Sequence, residues 1–145
     1  MLLRLIAMTP SSFSWRCVGL VFAVSAFPFA CAAPTAMQSG PGVPASQGTV
    51  NVTEADNGNT NVDVRVKHLA PAHKMASDST VYVVWLHAPQ GGTQNLGALT
   101  LNDNLEGRLE ALTPHRRFVL TVTPEPSAQA TMPTHAPVFT TNIER

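Results

Sequence analysis

The chain has 145 residues, in which nine Lys and Arg balance nine Asp and Glu, with five His and two Cys. That length suits one small domain. The interspersed charges, with no basic run beyond Arg116-Arg117, exclude the positive field that binding to a phosphate backbone requires, so nucleic acid is not an expected partner.

Residues 1–33 carry Arg4 and Arg16, no acidic residue, and the apolar run CVGLVFAVSAFPFACAA ending in small residues. This pattern predicts a secretory signal helix that the mature domain lacks. A retained membrane anchor fits less well, because the run from Cys17 to Ala33 is shorter than the roughly 20 residues of a spanning helix and contains Pro28. Two outcomes remain open at Ala30-Cys31-Ala32: cleavage that frees the chain, or lipidation of Cys31 itself. Pro28 and Phe29 match poorly the small and aliphatic residues that precede a lipidated cysteine. Either outcome places the domain outside the cytoplasm, periplasmic or secreted, with membrane contact only through the signal or a lipid at Cys31. Removing the segment takes away two of the nine cationic residues and none of the acids, leaving a net charge of about −2. A cut beyond Cys31 also removes both cysteines, so the domain must stand on its apolar core without a disulfide.

Residues 34–48, PTAMQSGPGVPASQG, have no hydrophobic period and read as a flexible, disordered linker. From residue 49 to 145 the chain alternates every second residue, which predicts an all-β domain. In TNVDVRVKHL, Val62, Val64, Val66 and His68 fall on a core face, and Asn61, Asp63, Arg65 and Lys67 on a wet face. The strand before it, GTVNVTEA, is joined through Asp56-Asn57-Gly58. A two-residue loop would set Val52 against Asp63, whereas a three-residue loop sets Val52 against Val62 and Val50 against Val64. The three-residue loop is therefore expected, with Gly58 left-handed.

Further strands are expected at 80–88, 95–101, 107–113, 117–123 and 137–144, separated by PQGG, NDN and the proline-rich TPEPSAQATMPTHAP. Seven short strands in about 100 residues predict an immunoglobulin-like antiparallel β-sandwich. In YVVWLHA, Val81, Val83, Trp85 and His87 share one face, and Tyr82, Val84 and Leu86 the other. Apolar groups on both faces predict a central strand, with Trp85 as an anchor between the sheets and His87 a hydrogen-bonded residue at the rim.

YVVWLHAPQGGTQNLGALTL, followed by GRLEALTP and then FVLTVTPEPSAQATMP and PVF, resembles the extracytoplasmic C-terminal domain of anti-sigma-K factors over about residues 80–139. The resemblance implies a β-sandwich on the envelope side of a membrane. In that family a cytoplasmic helical part holds the sigma factor. Only residues 1–16 precede the apolar run here, so sigma-factor binding is not carried over. Where the family has a Pro-x-Gly turn before its last strand, this chain has Met132-Pro133-Thr134-His135.

His68, His73 and Met75 in HLAPAHKM, with Met132 and His135 from a second loop, are ligand types that suit copper. Parity assigns His68 to the core face, which leaves His73 and Met75 as the candidate pair, with a solvated loop as the alternative. Pro89-Gln90-Gly91-Gly92 opens no helix and precedes no Lys-Ser or Lys-Thr, so it reads as a turn and not a phosphate cradle. Glu106, Arg108 and Glu110 form a solvated stripe. No serine sits in a nucleophile elbow, and Glu125 in TPEPS is read as tying its loop through carboxylate hydrogen bonds. The expectation is a non-enzymatic extracytoplasmic interaction or sensing module without a cofactor, whose partner is an unidentified envelope protein. An envelope copper-binding protein is the alternative.

Overall fold

The computed structural model describes residues 33–144; the expected signal segment and Cys31 lie outside the described residues. Among the described residues nine strands and one helical turn follow in order: β1 Thr35–Ala36, β2 Gln38–Ser39, β3 Gln47–Glu54, β4 Thr60–Lys67, α1 Ala72–Met75, β5 Val81–Ala88, β6 Gly92–Leu99, β7 Gly107–Thr113, β8 Arg117–Glu125 and β9 Phe139–Glu144. They form two antiparallel sheets. One has the order β1-β3-β4-β7, the other β2-β9-β8-β5-β6. The described residues form an all-β sandwich.

Valines at every second position build the first inner face, where Val50, Val62, Val64 and Val66 are buried. Opposite them lie Tyr82, Val84 and Leu86 of β5, Leu99 of β6, Phe118, Leu120 and Val122 of β8, and Phe139 and Ile143 of β9. The ring of Phe139 rests on Gly48, where a Cβ would come within 2.9 Å of the ring. Glycine there lets the two sheets close.

The β3–β4 hairpin has the expected register, with Val50 opposite Val64 and Val52 opposite Val62. The Gly58 amide donates to Ala55 O (2.9 Å), the Ala55 amide donates to Asn59 O (2.8 Å), and Gly58 takes φ +77°. This is a three-residue loop closed by a left-handed glycine.

Three expectations are corrected. The stretch 34–48 is folded and not a linker: β1 joins one sheet and β2 the other, and Met37 and Val43 are buried. Its low hydrophobic content hid two single apolar side chains that plug one edge of the sandwich, so the domain starts well before residue 49. His68 leaves the core face. It adopts φ +55° and is exposed, which reverses the alternation and buries Leu69 in its place. Trp85 is fully buried but lies outside the inter-sheet cluster, on the outer face of β5. Its cover is a loop, described next.

Candidate functional site

The outer face of the five-stranded sheet lies beneath the long connection 126–138. Pairing sets Trp85 opposite Thr121, Val83 opposite Thr123 and Val81 opposite Glu125, so alternation sends all six side chains outward. Thr123 and Glu125, two residues apart on one strand, share this face. The Trp85 indole N–H donates to Thr123 Oγ1 at 2.8 Å, and Thr123 Oγ1 donates to Glu125 Oε1 at 2.6 Å. The loop completes the network: the Thr134 amide donates to Glu125 Oε1 at 2.9 Å, and the Thr134 hydroxyl donates to Oε2.

Glu125 is fully buried. Burial by itself would raise its pKa. The donors from Thr123 and from the Thr134 hydroxyl and amide, with His135 nearby, outweigh that cost and hold the carboxyl below the usual range. The carboxylate is thus present in the folded state as an acceptor with both oxygens engaged.

Other elements fasten the same loop. The Asn95 amide group donates to Ala128 O (3.0 Å) and Ala130 O (2.8 Å), while its Oδ1 accepts from Gly97 N beside the β5–β6 bulge. Thr80 Oγ1 donates to Pro126 O at 2.8 Å. His135 contacts Thr134 Oγ1 through Nδ1 (3.0 Å) and Asp78 Oδ1 through Nε2 (3.1 Å), linking this loop to the β4–β5 connection. Residues 132–135 accomplish this without a left-handed residue, since His68 and Leu105 are the non-glycine positions with positive φ among the described residues. His87 sits at the far end of the face, where its two ring nitrogens meet Thr93 Oγ1 (2.9 Å) and Thr121 Oγ1 (2.8 Å).

The remaining sequence candidates are dispersed. His73 is exposed on α1, while Met75 packs its methyl against Gly42 and the core. His68 is exposed, Met132 is 64% exposed, and His135 is held by Asp78 and Thr134. Among the described residues no group of three or more His, Cys, Asp or Glu is placed to hold a metal ion. Glu106, Arg108 and Glu110 belong to a lattice on the outer face of the first sheet. Arg65 and Arg108 both pair with Asp63 at 2.8 Å, Arg108 also pairs with Glu110, and Lys67 lies 4.0 Å from Glu106. Asp63, read as solvent-facing, is buried beneath those guanidinium groups, and its pKa is lowered chiefly by the hydrogen bond from Arg108.

Sequence reasoning missed Thr123, Thr134, Asn95 and Asp78. One signal was available: Val83 and Trp85, on the side of β5 opposite Tyr82, Val84 and Leu86, required a cover of their own. Neither a scan against models of known families nor a search of the curated proteins finds a match to this chain.

Proposed function

We propose that the chain is a non-enzymatic, extracytoplasmic interaction or sensing module, an immunoglobulin-like sandwich whose 126–138 loop is its recognition element. The observation that carries this reading is the fixation of that loop. Glu125 at the end of β8, Asn95 on β6, and Thr80 and Asp78 on the β4–β5 connection hold it from three segments of the fold. A loop ordered before it meets a partner costs less entropy on binding, which is how sandwich domains present recognition surfaces. The immunoglobulin-like class is supported by the connections β4–β5, β6–β7 and β7–β8, each of which crosses from one sheet to the other. The resemblance to the envelope domain of anti-sigma-K factors supports the same compartment, and the partner in this proposal is an envelope protein. The tether, where one is kept, is a lipid on Cys31.

The test is a photo-reactive side chain at Met132, and separately at Gln129, in the full chain inside bacterial cells. The expected result is a discrete adduct in the envelope fraction that is lost with Glu125→Gln although the chain stays folded. Recovery of the chain in the cytoplasm, or of an envelope chain that forms no adduct from either position, refutes the proposal.

A further inference from the structure

The outer faces of the two sheets are finished differently. The five-stranded sheet lies under the 126–138 loop, whereas β3 and β4 of the other sheet leave a groove of about 430 Å³ open on theirs. Alternation aims Gln47, Thr49 and Asn51 of β3 and Asp63, Arg65 and Lys67 of β4 into it. The ladder sets them in three pairs: Gln47 opposite Lys67, Thr49 opposite Arg65, and Asn51 opposite Asp63. Thr49 and Asn51 are half-buried and Asp63 is buried, so these three form the floor. Gln47, Arg65 and Lys67 are exposed and form the rim, and Pro34 adds an apolar wall.

Asn51 Oδ1 is buried and has no hydrogen-bond donor. Asp63, its neighbour across the ladder, cannot supply one, because the carboxylate is an acceptor that already takes four hydrogen bonds from Arg65 and Arg108. A buried acceptor left without a donor costs stability, so this position is matched to a donor that comes from outside the fold. The same four bonds fix the guanidinium groups. Arg65 spends Nε and Nη2 on Asp63, which leaves its Nη1 edge for another acceptor. Arg108 is drawn to Glu110 as well. Lys67 reaches Glu106 only at 4.0 Å with both side chains exposed, a contact that solvent screens. Within the groove, Arg65 and Lys67 thus stand against one acid, Asp63, whose oxygens are already spent. The surplus is a single positive charge.

We propose that this groove binds a sugar acid, a hydroxylated ring carrying one carboxylate. The carboxylate accepts from Arg65 Nη1 and Lys67 Nζ, a ring hydroxyl donates to Asn51 Oδ1, and Pro34 meets the C–H edge of the ring. Arg65 and Asn51 are diagonal neighbours, about 7–8 Å apart on the sheet surface. A single pyranose bridges that span and a bare carboxylate does not. The single surplus charge favours a carboxylate over a doubly charged phosphate, and the short Thr49 side chain beside both anchors leaves depth for the ring. The volume falls in the range of small-ligand sites. Because the attraction is partly between solvent-exposed charges, binding weakens as salt is added.

The groove and the 126–138 loop lie on different sheets, so the ligand site and the proposed recognition role stand or fall separately. Amide NMR of the isotope-labelled full chain is followed during titration with glucuronate, glucose or acetate. The expected result is saturable shifts at residues 47–51 and 63–67 with glucuronate in the millimolar range. Binding should be about tenfold weaker, or more, to glucose, which lacks the carboxylate, and to acetate, which lacks the hydroxyls. Arg65→Gln and Asn51→Ala should keep the spectrum of the folded sandwich, since Arg108 still pairs with Asp63, and each should lose about tenfold in glucuronate affinity. Shifts that do not saturate, that map outside these two strands, or that acetate reproduces at equal affinity overturn the proposal. Glucuronate affinity unchanged in either folded variant overturns it too.

Discussion

Glu125→Gln tests the clasp that orders the 126–138 loop. The carboxylate accepts from Thr123 Oγ1, the Thr134 amide and the Thr134 hydroxyl. Hydrogen bonds to a charged acceptor contribute about 1.5–3 kcal/mol each, against about 1 kcal/mol for neutral ones. In the variant, the amide oxygen can keep the Thr123 and Thr134 amide bonds at neutral strength. The NH2 group replaces Oε2, so the Thr134 hydroxyl must turn from donor to acceptor. Against these losses stands the desolvation cost of a fully buried charge, which the variant no longer bears. Three donors converging on the carboxylate favour the charged form, in keeping with a pKa held below the usual range. The net loss is expected to be about 1–2 kcal/mol at pH 7. The pH dependence has a definite sign. A carboxyl whose folded pKa lies below its unfolded value of about 4.3 contributes stability that is complete above that value and is lost as pH falls through the folded pKa. The gap between wild type and variant should therefore be full at pH 6–7 and close in acid. Urea unfolding followed by Trp85 fluorescence is suited to this, because Trp85 is bonded to the network and Trp15 lies in the expected signal segment. A Glu125→Gln domain as stable as wild type at pH 7, or a gap that persists unchanged into acid, would refute the reasoning.

Two further outcomes are expected. A Cβ at Gly58 meets no atom within 4 Å, yet the residue holds φ +77°, so Gly58→Val should cost about 1–2 kcal/mol of backbone strain alone and Gly58→Asn much less; equal urea midpoints for the two variants would contradict the left-handed loop. His68 is exposed and left-handed at φ +55°, so His68→Gly should raise stability by about 0.5–1 kcal/mol, and a fall in the thermal midpoint would mean that its side chain contributes something the geometry does not show.

Alternation in the sequence was sufficient for the all-β class, the strands from β3 onward to within a few residues, and the hairpin register, because these depend on which neighbouring side chains share a face. Val50, Val52, Val62 and Val64 can meet in pairs only across a three-residue loop, and that is a local constraint. Other features depended on contacts between distant segments. Nothing within PTAMQSGPGVPASQG marks Met37 and Val43 as core, because their burial is created by sheets whose strands follow later in the chain. A period of two places Trp85 on one side of β5 but is silent on which side faces the other sheet. Tertiary packing chose Tyr82, Val84 and Leu86 for the inner face and left Trp85 on the outer one, bonded to Thr123 of β8. The same holds for Glu125, whose partners Thr134 and, through His135, Asp78 come together only after the loop has folded back over the sheet. Local backbone periodicity is legible in a sequence, whereas the pairing of buried polar groups is fixed by three-dimensional closure, where each donor must find an acceptor that water can no longer provide.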